Sequence, residues 1–202
     1  MDIVDKLTEA FKEFPGIGER QARRFVYFLM AKNGEYTQNL TKLISELKKD
    51  IAQCRECFRF FVDDHQGNLC DNCSSHNRDA SMLLVVEKDG DLESIEKSRV
   101  YKGKYFVLGG LVPIVEKNTP SRVRINELLT LIDKRPNLQE IILAFTISPQ
   151  GDHTDFYVRE QIRLSTDKKG IKVSSLGRGL STGTELEYSD NDTLKNALKN
   201  RQ

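Results

Sequence analysis

One stretch organises this chain: Cys54-Arg-Glu-Cys57, then twelve residues, then Cys70-Asp-Asn-Cys73. These are the four cysteines of the sequence. Each Cys-x-x-Cys pair can turn both sulfurs toward one point, so the two pairs together can supply four thiolates to a tetrahedral structural zinc ion. Two disulfides, or four unrelated thiols, are the alternatives. The sequence favours zinc, because nothing else in it suggests an oxidising compartment.

A site of this kind is expected to be structural. All four ligands would be protein sulfurs, so no coordination position would stay open for a reacting water. The segment between the pairs is polar and turn-rich at its tip, around Asp63 and Gly67, and is too polar there to build a core of its own. We therefore expect the metal to supply much of the local folding energy.

The composition is that of a water-soluble globular protein. Apolar residues make up 38% of the 202 residues and charged residues 30%, and the formal net charge is +1. No overall basic field steers the chain to nucleic acid, so any such binding must come from a local patch. The start of the chain lacks the features of a signal peptide, and no apolar run approaches membrane-spanning length. We expect a cytoplasmic protein with reduced cysteines.

Helical patterns fill the first fifty residues, on either side of a glycine turn. Apolar residues recur at helical spacing from Ile3 to Phe14 and again from Ala22 to Met30. A third helix is predicted to begin with Thr37 as its N-cap. Between the first two helices stands Phe14-Pro15-Gly16-Ile17-Gly18, whose proline and glycines stop one helix and allow a tight turn.

This turn resembles a helix-hairpin-helix DNA-binding motif. Without side chains at Gly16 and Gly18, backbone N–H groups can approach an anion closely at the start of the next helix, where the macrodipole favours negative charge. Ile17 would pack back between the helices, and arginines on the following turns would reach a phosphate backbone. The predicted DNA-binding residues are Gly16, Ile17, Gly18, Arg20, Arg23 and Arg24. An ordinary helical hairpin with a solvated basic face is the alternative.

Strand and helix patterns alternate in the second half of the chain. Four short apolar runs are typical of strands covered on both faces, and helical patterns lie between them near residues 91–98, 124–133 and 154–165. The four runs are Met82–Val86, Tyr105–Leu108, Ile141–Phe145 and Ile171–Val173. This alternation predicts a mainly parallel sheet. The fold class predicted for the whole chain is α+β, with helices first, then a zinc knuckle, then an α/β unit.

An acid follows the first of these strands, in Val86-Glu87-Lys88-Asp89-Gly90-Asp91. Strand, glutamate, short turn and helix resemble the opening of the Toprim fold of topoisomerases and primases. A catalytic site of that fold adds an Asp-x-Asp pair after a later strand, which supplies hard oxygen ligands to magnesium. Here Thr146 and Ser148 occupy the two acid positions. One carboxylate with two hydroxyls is a poor magnesium ligand set, so we expect the fold without its chemistry.

Two alternatives to this interpretation remain open. Asp152 and Asp155 follow the same strand and, with Glu87, could serve a magnesium-dependent nuclease or a topoisomerase-like enzyme. Their helical spacing instead predicts that both lie in the first turn of a helix, where acids favour the dipole. The near-zero net charge motivates the other alternative, a protein scaffold whose DNA affinity is incidental.

The order of these pieces, over nearly the whole chain, resembles the RecR family of bacterial recombination mediators. The resemblance rests on Pro15–Gly18, the four cysteines, Leu84–Glu87 with Gly90-Asp91, Tyr105–Leu108, Ile142–Ala144, Gly183–Tyr188 and Thr193-Leu194. It implies a helix-hairpin-helix DNA-binding domain at 1–53, a four-cysteine zinc finger at 54–80, a Toprim-like domain at 81–175, and a C-terminal loop and helix at 176–202 that contact another subunit.

The resemblance also implies a function. Members of the family are not enzymes; they assemble into ring-like tetramers that can encircle DNA, and we expect this chain to form a homo-oligomer, either a dimer or a tetrameric ring. They act with RecO, and in some pathways RecF, to load RecA on single strands coated by single-strand-binding protein. Arg20 and Arg24 match the family's ring-lining basic residues, and Glu87, Asp91 and Asp152 would form an acidic partner surface. Single- and double-stranded DNA, a structural Zn²⁺ and a location at the nucleoid follow as expectations.

The chain departs from the family pattern at three places. The family's glutamate before the glycine at the third strand end is replaced by Gln150. The loop after the second strand reads Leu111-Val112-Pro113, where the family usually has Leu-Ser-Pro, and Leu180–Thr184 replaces a Val-Pro-Val-Gly-Gly segment. The first two changes bear on RecO contact, and the third on subunit contacts.

Overall fold

The structure is a computed structural model that describes residues 1–63, 67–115, 123–177, 179–180, 183 and 185–199. The chain forms two compact units, Met1–Ile51 and Ala52–Gln202. Of the predicted C-terminal segment, residues 178, 181, 182, 184 and 200–202 lie outside the described residues. No helix in the described ranges has both the length and the apolar content needed to cross a membrane.

The first unit contains the three predicted helices, α1 (Ile3–Lys12), α2 (Glu19–Met30) and α3 (Gly34–Asp50). The predicted start of α3 was wrong. Asn33 is the N-cap and its side chain accepts from the amide of Tyr36 at 3.0 Å. Thr37 lies inside the helix, where its hydroxyl donates to the carbonyl of Gly34. Asparagine caps at least as well as threonine, and Gly34 does not prevent the helix from starting earlier.

The second unit opens with the cysteine module. Strands β1 (Ile51–Gln53) and β2 (Phe60–Val62) pair in a small sheet, and the one-turn helix α4 (Asp71–Ser74) carries the last cysteine. The pairing continues past β1, because the amide of Cys54 donates to the carbonyl of Arg59 at 2.9 Å. These strands were not predicted, since three residues are too few to show an alternating pattern.

A four-stranded sheet follows, and all its pairs are parallel. In chain order its elements are β3 (Asp79–Val86), α5 (Asp89–Ser98), β4 (Gly103–Val107), α6 (Ile125–Lys134), β5 (Glu140–Ala144), α7 (Pro149–Lys169) and β6 (Lys172–Ser175); a 3₁₀ turn (Leu186–Tyr188) and α8 (Asn191–Lys199) come after. The strand order is β4-β3-β5-β6. The predicted α+β fold and parallel sheet are confirmed.

Alternate residues of β3 pack into two different hydrophobic clusters. Leu83 and Val85 of β3 face a large cluster that includes residues of α6 and α7. Leu84 and Val86 face a smaller cluster closed by Leu92 of α5. Because both faces of β3 are covered, its sequence is a continuous apolar run instead of an alternating one. Because all the strand pairs are parallel, the carboxyl ends of the four strands lie along one edge of the sheet.

Helix α7 begins five residues before the predicted start at 154. Ser148 is its N-cap and accepts from the amide of Gly151 at 3.1 Å, and Pro149 occupies the first turn. Proline and glycine together resemble a loop, yet proline is favoured at the first helical position. Only glycine fits at position 151, because a Cβ there would lie 1.8 Å from the carbonyl oxygen of Thr146.

Gly151→Ala should destabilise the protein by about 1–3 kcal/mol, because the added methyl group must displace backbone at the start of α7. Gly90→Ala is the matched control: Gly90 is also in a first helical turn, and a Cβ there meets no atom within 4 Å of the described structure. The control should be neutral or up to about 1 kcal/mol more stable. Urea unfolding of both variants checks this; equal midpoints would contradict it.

Candidate metal centre and nucleic-acid interface

The four cysteine sulfurs converge. All four Sγ atoms lie within 4.8 Å of one another, and those of Cys57 and Cys70 are 3.5 Å apart. A tetrahedral ion with Zn–S bonds of about 2.3 Å separates its ligands by roughly 3.8 Å, so these sulfurs fit one ion. No disulfide joins any two of the four cysteines in the described structure, and the convergence of all four sulfurs on one point favours a shared ion.

The local backbone explains why the sulfurs meet. The amide of Phe58 donates to the carbonyl of Cys54, and the amide of Cys73 donates to the carbonyl of Cys70, so each pair is closed by its own tight turn. The two turns are also linked, because the amide of Cys70 donates to Sγ of Cys54 at 3.5 Å. Three of the cysteines are buried, and Cys73 is partly buried.

The close packing of sulfurs perturbs their acidity. Hydrogen bonds from the neighbouring thiols, that of Cys57 first, lower the pKa of Cys54. The neighbouring sulfurs, that of Cys54 first, raise the pKa of Cys73. Ligation of a metal ion requires all four sulfurs to be thiolates. Binding of a dication by all four sulfurs therefore releases protons.

Phe58, directly after the second cysteine, holds the first turn against the sheet. Its backbone is left-handed, with φ of 61°, which is uncommon for a bulky residue. The ring contacts Phe106 of β4 edge-on at 5.5 Å between centroids, and the guanidinium of Arg124 lies 5.5 Å from the ring centre. These contacts offset the backbone strain. Sequence reasoning missed this role; the position after a Cys-x-x-Cys pair was the available signal.

The predicted acid at the end of β3 has a hydroxyl partner. Glu87 is half-buried, and its carboxylate accepts from the hydroxyl of Thr146 at 2.9 Å. The strand order explains this contact, because β3 and β5 are neighbours and end side by side. Ser148 does not join them, since its side chain caps α7. Of the two hydroxyls at the acid positions, one therefore binds Glu87 and the other serves the fold.

The remaining acids have mostly structural contacts. Asp91 accepts from the amide of Lys88 at the start of α5. Asp152 lies in the first turn of α7, as predicted, but Asp155 lies in the second turn, because the helix begins earlier than expected. Both oxygens of Asp155 are engaged, one by Arg159 at 2.5 Å and one by Ser175 at 2.6 Å. Among the described residues, Glu87, Asp152 and Asp155 do not form a group close enough to share an ion.

The glycine turn between α1 and α2 has the predicted backbone. Gly16 has φ of 77°, which favours glycine, and Gly18 is the N-cap of α2 without any side chain to cap its first amides. No atom of the described structure lies within 4 Å of a Cβ added at either glycine. Ile17 is half-buried, and Ala22 is fully buried as expected of a packing position. The start of α2 is thus open to an anion.

The three predicted arginines differ in their surroundings. Arg20 and Arg24 are exposed, share one face of α2, and have no ion-pair partner within the described part of the chain. Arg23 lies between Asp5 at 3.8 Å and Glu19 at 3.6 Å. Its charge is therefore partly balanced within the chain, and Arg20 with Arg24 forms the open basic face.

The parallel sheet, with an acid directly after its first strand, is typical of the Toprim fold. The helical hairpin before the cysteine centre is typical of a DNA-binding module, so the chain is a Toprim-fold protein with such a module attached. Comparison with known families agrees: a Toprim domain matches residues 81–177. The profile described as "RecR, helix-hairpin-helix" matches residues 4–48, and that described as "RecR, C-terminal" matches residues 179–202.

Relatives that match this chain over nearly their whole length carry the name of the same family. A "Recombination protein RecR" of Dehalococcoides mccartyi is 39% identical over 98% of this chain and 93% of its own length. One from Lactobacillus acidophilus is 35% identical over 98% and 96%, and one from Legionella pneumophila is 32% identical over 100% and 96%. The chain belongs to the RecR family of recombination proteins.

Replacing Cys54 by serine should abolish tight binding of one metal ion per chain and loosen the cysteine module, because three sulfurs leave the first turn unanchored. Ser74→Ala is the matched control, since Ser74 neighbours the ligand Cys73 without offering a sulfur. Elemental analysis of the purified chains and thermal unfolding with and without a chelator check the prediction. Equal metal content in Cys54→Ser and the control would contradict it.

Proposed function

We propose that this protein binds DNA as a non-catalytic recombination mediator. The observation that carries the proposal is the open start of α2, where uncapped amides after Gly18 lie beside the exposed guanidinium groups of Arg20 and Arg24. Backbone amides at a helix N-terminus and paired arginines both bind phosphate oxygens. Contacts of this type position a protein on DNA without reading its sequence, which suits a mediator that must act on any strand.

The low net charge favours DNA binding by several copies of the chain at once. With a net charge of +1, the chain as a whole attracts DNA weakly, so the two arginines must supply most of the attraction. Each phosphate neutralised contributes about −0.7 to −0.9 to the slope of log K against log salt concentration. Two contacts per chain give modest affinity, and several chains around one DNA molecule would give a steep salt dependence.

The exposed apolar surface of the first unit supports a homo-oligomer. Helix α3 buries no residue in the single chain, and Leu43, Ile44 and Leu47 are 55, 60 and 61% exposed. A surface of this kind is typical of a protein interface. We propose that it contacts a second copy within a dimer or tetrameric ring, as in the family; the mass of the full chain in solution, with and without DNA, tests this.

Zinc is the metal we propose for the cysteine centre. Four closely spaced sulfurs with a tetrahedral fit favour zinc among common cellular ions, and no position remains for a substrate. Cys54, Cys57, Cys70 and Cys73 would hold the ion, and its contribution would be to the folding of the module.

The partners we propose are RecO, and in some pathways RecF, in loading RecA on coated single strands. Glu87, Asp91 and Asp152 lie after β3, in the first turn of α5 and in the first turn of α7, so all three belong to the carboxyl edge of the sheet. An acidic edge would suit a basic partner surface. Gln150 removes one charge that the family usually has there, which would weaken RecO contact and leave the other acids to provide it.

Arg20→Glu/Arg24→Glu should weaken binding to single- and double-stranded DNA by at least about tenfold and reduce the salt slope, because two phosphate contacts per chain become repulsive. Arg163→Glu/Lys168→Glu makes the same change of charge at exposed positions of α7, in a different unit of the chain from the hairpin and the apolar surface of α3. Fluorescence anisotropy across a salt series compares the two variants with the parent chain.

An effect confined to the arginine variant supports the assigned surface. Equal losses in both variants would mean that total charge, and not the hairpin, governs DNA binding. Full binding by the arginine variant would refute the surface outright.

A magnesium-dependent Toprim enzyme remains the second candidate, motivated by Glu87 at the strand end. The geometry gives it little support, since Thr146 replaces the first acid and Asp155 is engaged by Arg159 and Ser175. Nicking of supercoiled plasmid in magnesium or manganese, lost in Glu87→Ala, would establish this candidate in place of the mediator.

A further inference from the structure

A lysine lies buried in the edge strand of the sheet. Lys104 is the second residue of β4 and is 8% exposed. Lysine is among the residues least often buried, because its ammonium loses hydration that must be replaced by hydrogen bonds. Among the described residues no carboxylate lies within 4 Å of this ammonium. A buried lysine without an acidic partner requires a different explanation.

Its hydrogen bonds are directed to the metal centre. The ammonium donates to the carbonyl oxygens of Asn72 at 3.0 Å, Cys73 at 3.0 Å and Ser75 at 2.8 Å. An ammonium group has three N–H bonds, so its donor capacity is fully used. The three carbonyls belong to the end of α4 and the residue after it, where unpaired carbonyls and the helix dipole favour a cation.

The same strand also holds the other cysteine turn. The amide of Val107 donates to the carbonyl of Cys57 at 2.8 Å. Val107 N–H and Lys104 Nζ thus fix one cysteine turn each, and both belong to β4. The ligand pairs are therefore joined twice, once through the sulfurs and once through this strand.

We infer that Lys104 is a positioning residue of the metal centre, which holds the second cysteine turn in its ligating shape and places a positive charge beside an anionic site. Four thiolates and one dication leave a net charge of −2, and such a site is stabilised by a nearby cation. Groups that orient metal ligands in this way are typically worth about 10–100-fold in metal affinity. The turn and the lysine should therefore order together when metal binds.

The first test uses the unmodified full chain. Lysines are labelled with an amine-reactive reagent before and after metal removal by a chelator, and mass spectrometry locates the labels. Lys104 should be protected in the metal-loaded protein and become reactive after chelation, while exposed Lys102 reacts in both states. Amide hydrogen exchange at the buried residues of β3 and β5, measured on the same samples, reports whether the sheet remains folded.

Three outcomes would overturn the inference. Labelling of Lys104 in the metal-loaded protein would show that it is not held by the turn. Continued protection after chelation would show that its contacts do not depend on the metal. Simultaneous loss of amide protection in β3 and β5 would show that the metal stabilises the whole unit, and not this turn in particular.

A variant provides an independent readout. Lys104→Met keeps the length of the side chain and removes its charge and donors, and Lys102→Met is the matched control on exposed surface of the same segment. Titration with cobalt(II), followed by the thiolate charge-transfer and d–d absorption bands, should show at least about tenfold weaker binding and altered bands in Lys104→Met alone. Parent-like cobalt affinity and spectrum in a folded Lys104→Met chain would contradict the inference.

Discussion

The backbone hydrogen bond from Val107 to Cys57 joins the two parts of the second unit. Strand β4 is the edge of the parallel sheet, and an exposed edge invites pairing with other chains. The cysteine module covers it, supported by the ring of Phe58 on Phe106 and by the salt bridge between Glu56 and Arg135 at 2.9 Å. A metal that orders the cysteine turns therefore also protects the edge of the sheet.

This arrangement separates the stabilising chemistry of the protein from its functional surfaces. The metal centre is closed by four sulfurs, and the acid at the sheet edge is matched with the Thr146 hydroxyl instead of a second carboxylate. The glycine turn with the exposed Arg20 and Arg24 belongs to the other unit of the chain, Met1–Ile51. The proposed DNA binding therefore depends on a surface that is separate from both the metal centre and the acidic edge of the sheet.

Sequence patterns predicted the parts of this structure that depend on local chemistry. The cysteine spacing, the apolar strands and the glycine turn each carry a signal within a few residues. Burial of Lys104 and the left-handed backbone of Phe58 were not predicted, because both depend on contacts between the cysteine module and β4. The start of α7 was misplaced because Pro149 and Gly151 resemble a loop, although Ser148 caps them and Thr146 leaves space for glycine alone.

Amide hydrogen exchange measured with the metal bound and after its removal tests most directly whether the cysteine module and the sheet edge form one metal-dependent structure. The account predicts that the Val107 amide loses at least about tenfold of its protection when the metal leaves, because its acceptor on Cys57 is released. Amides of the central strands β3 and β5 should keep theirs. Unchanged protection at Val107 would contradict the account, because the edge would then be held without the metal.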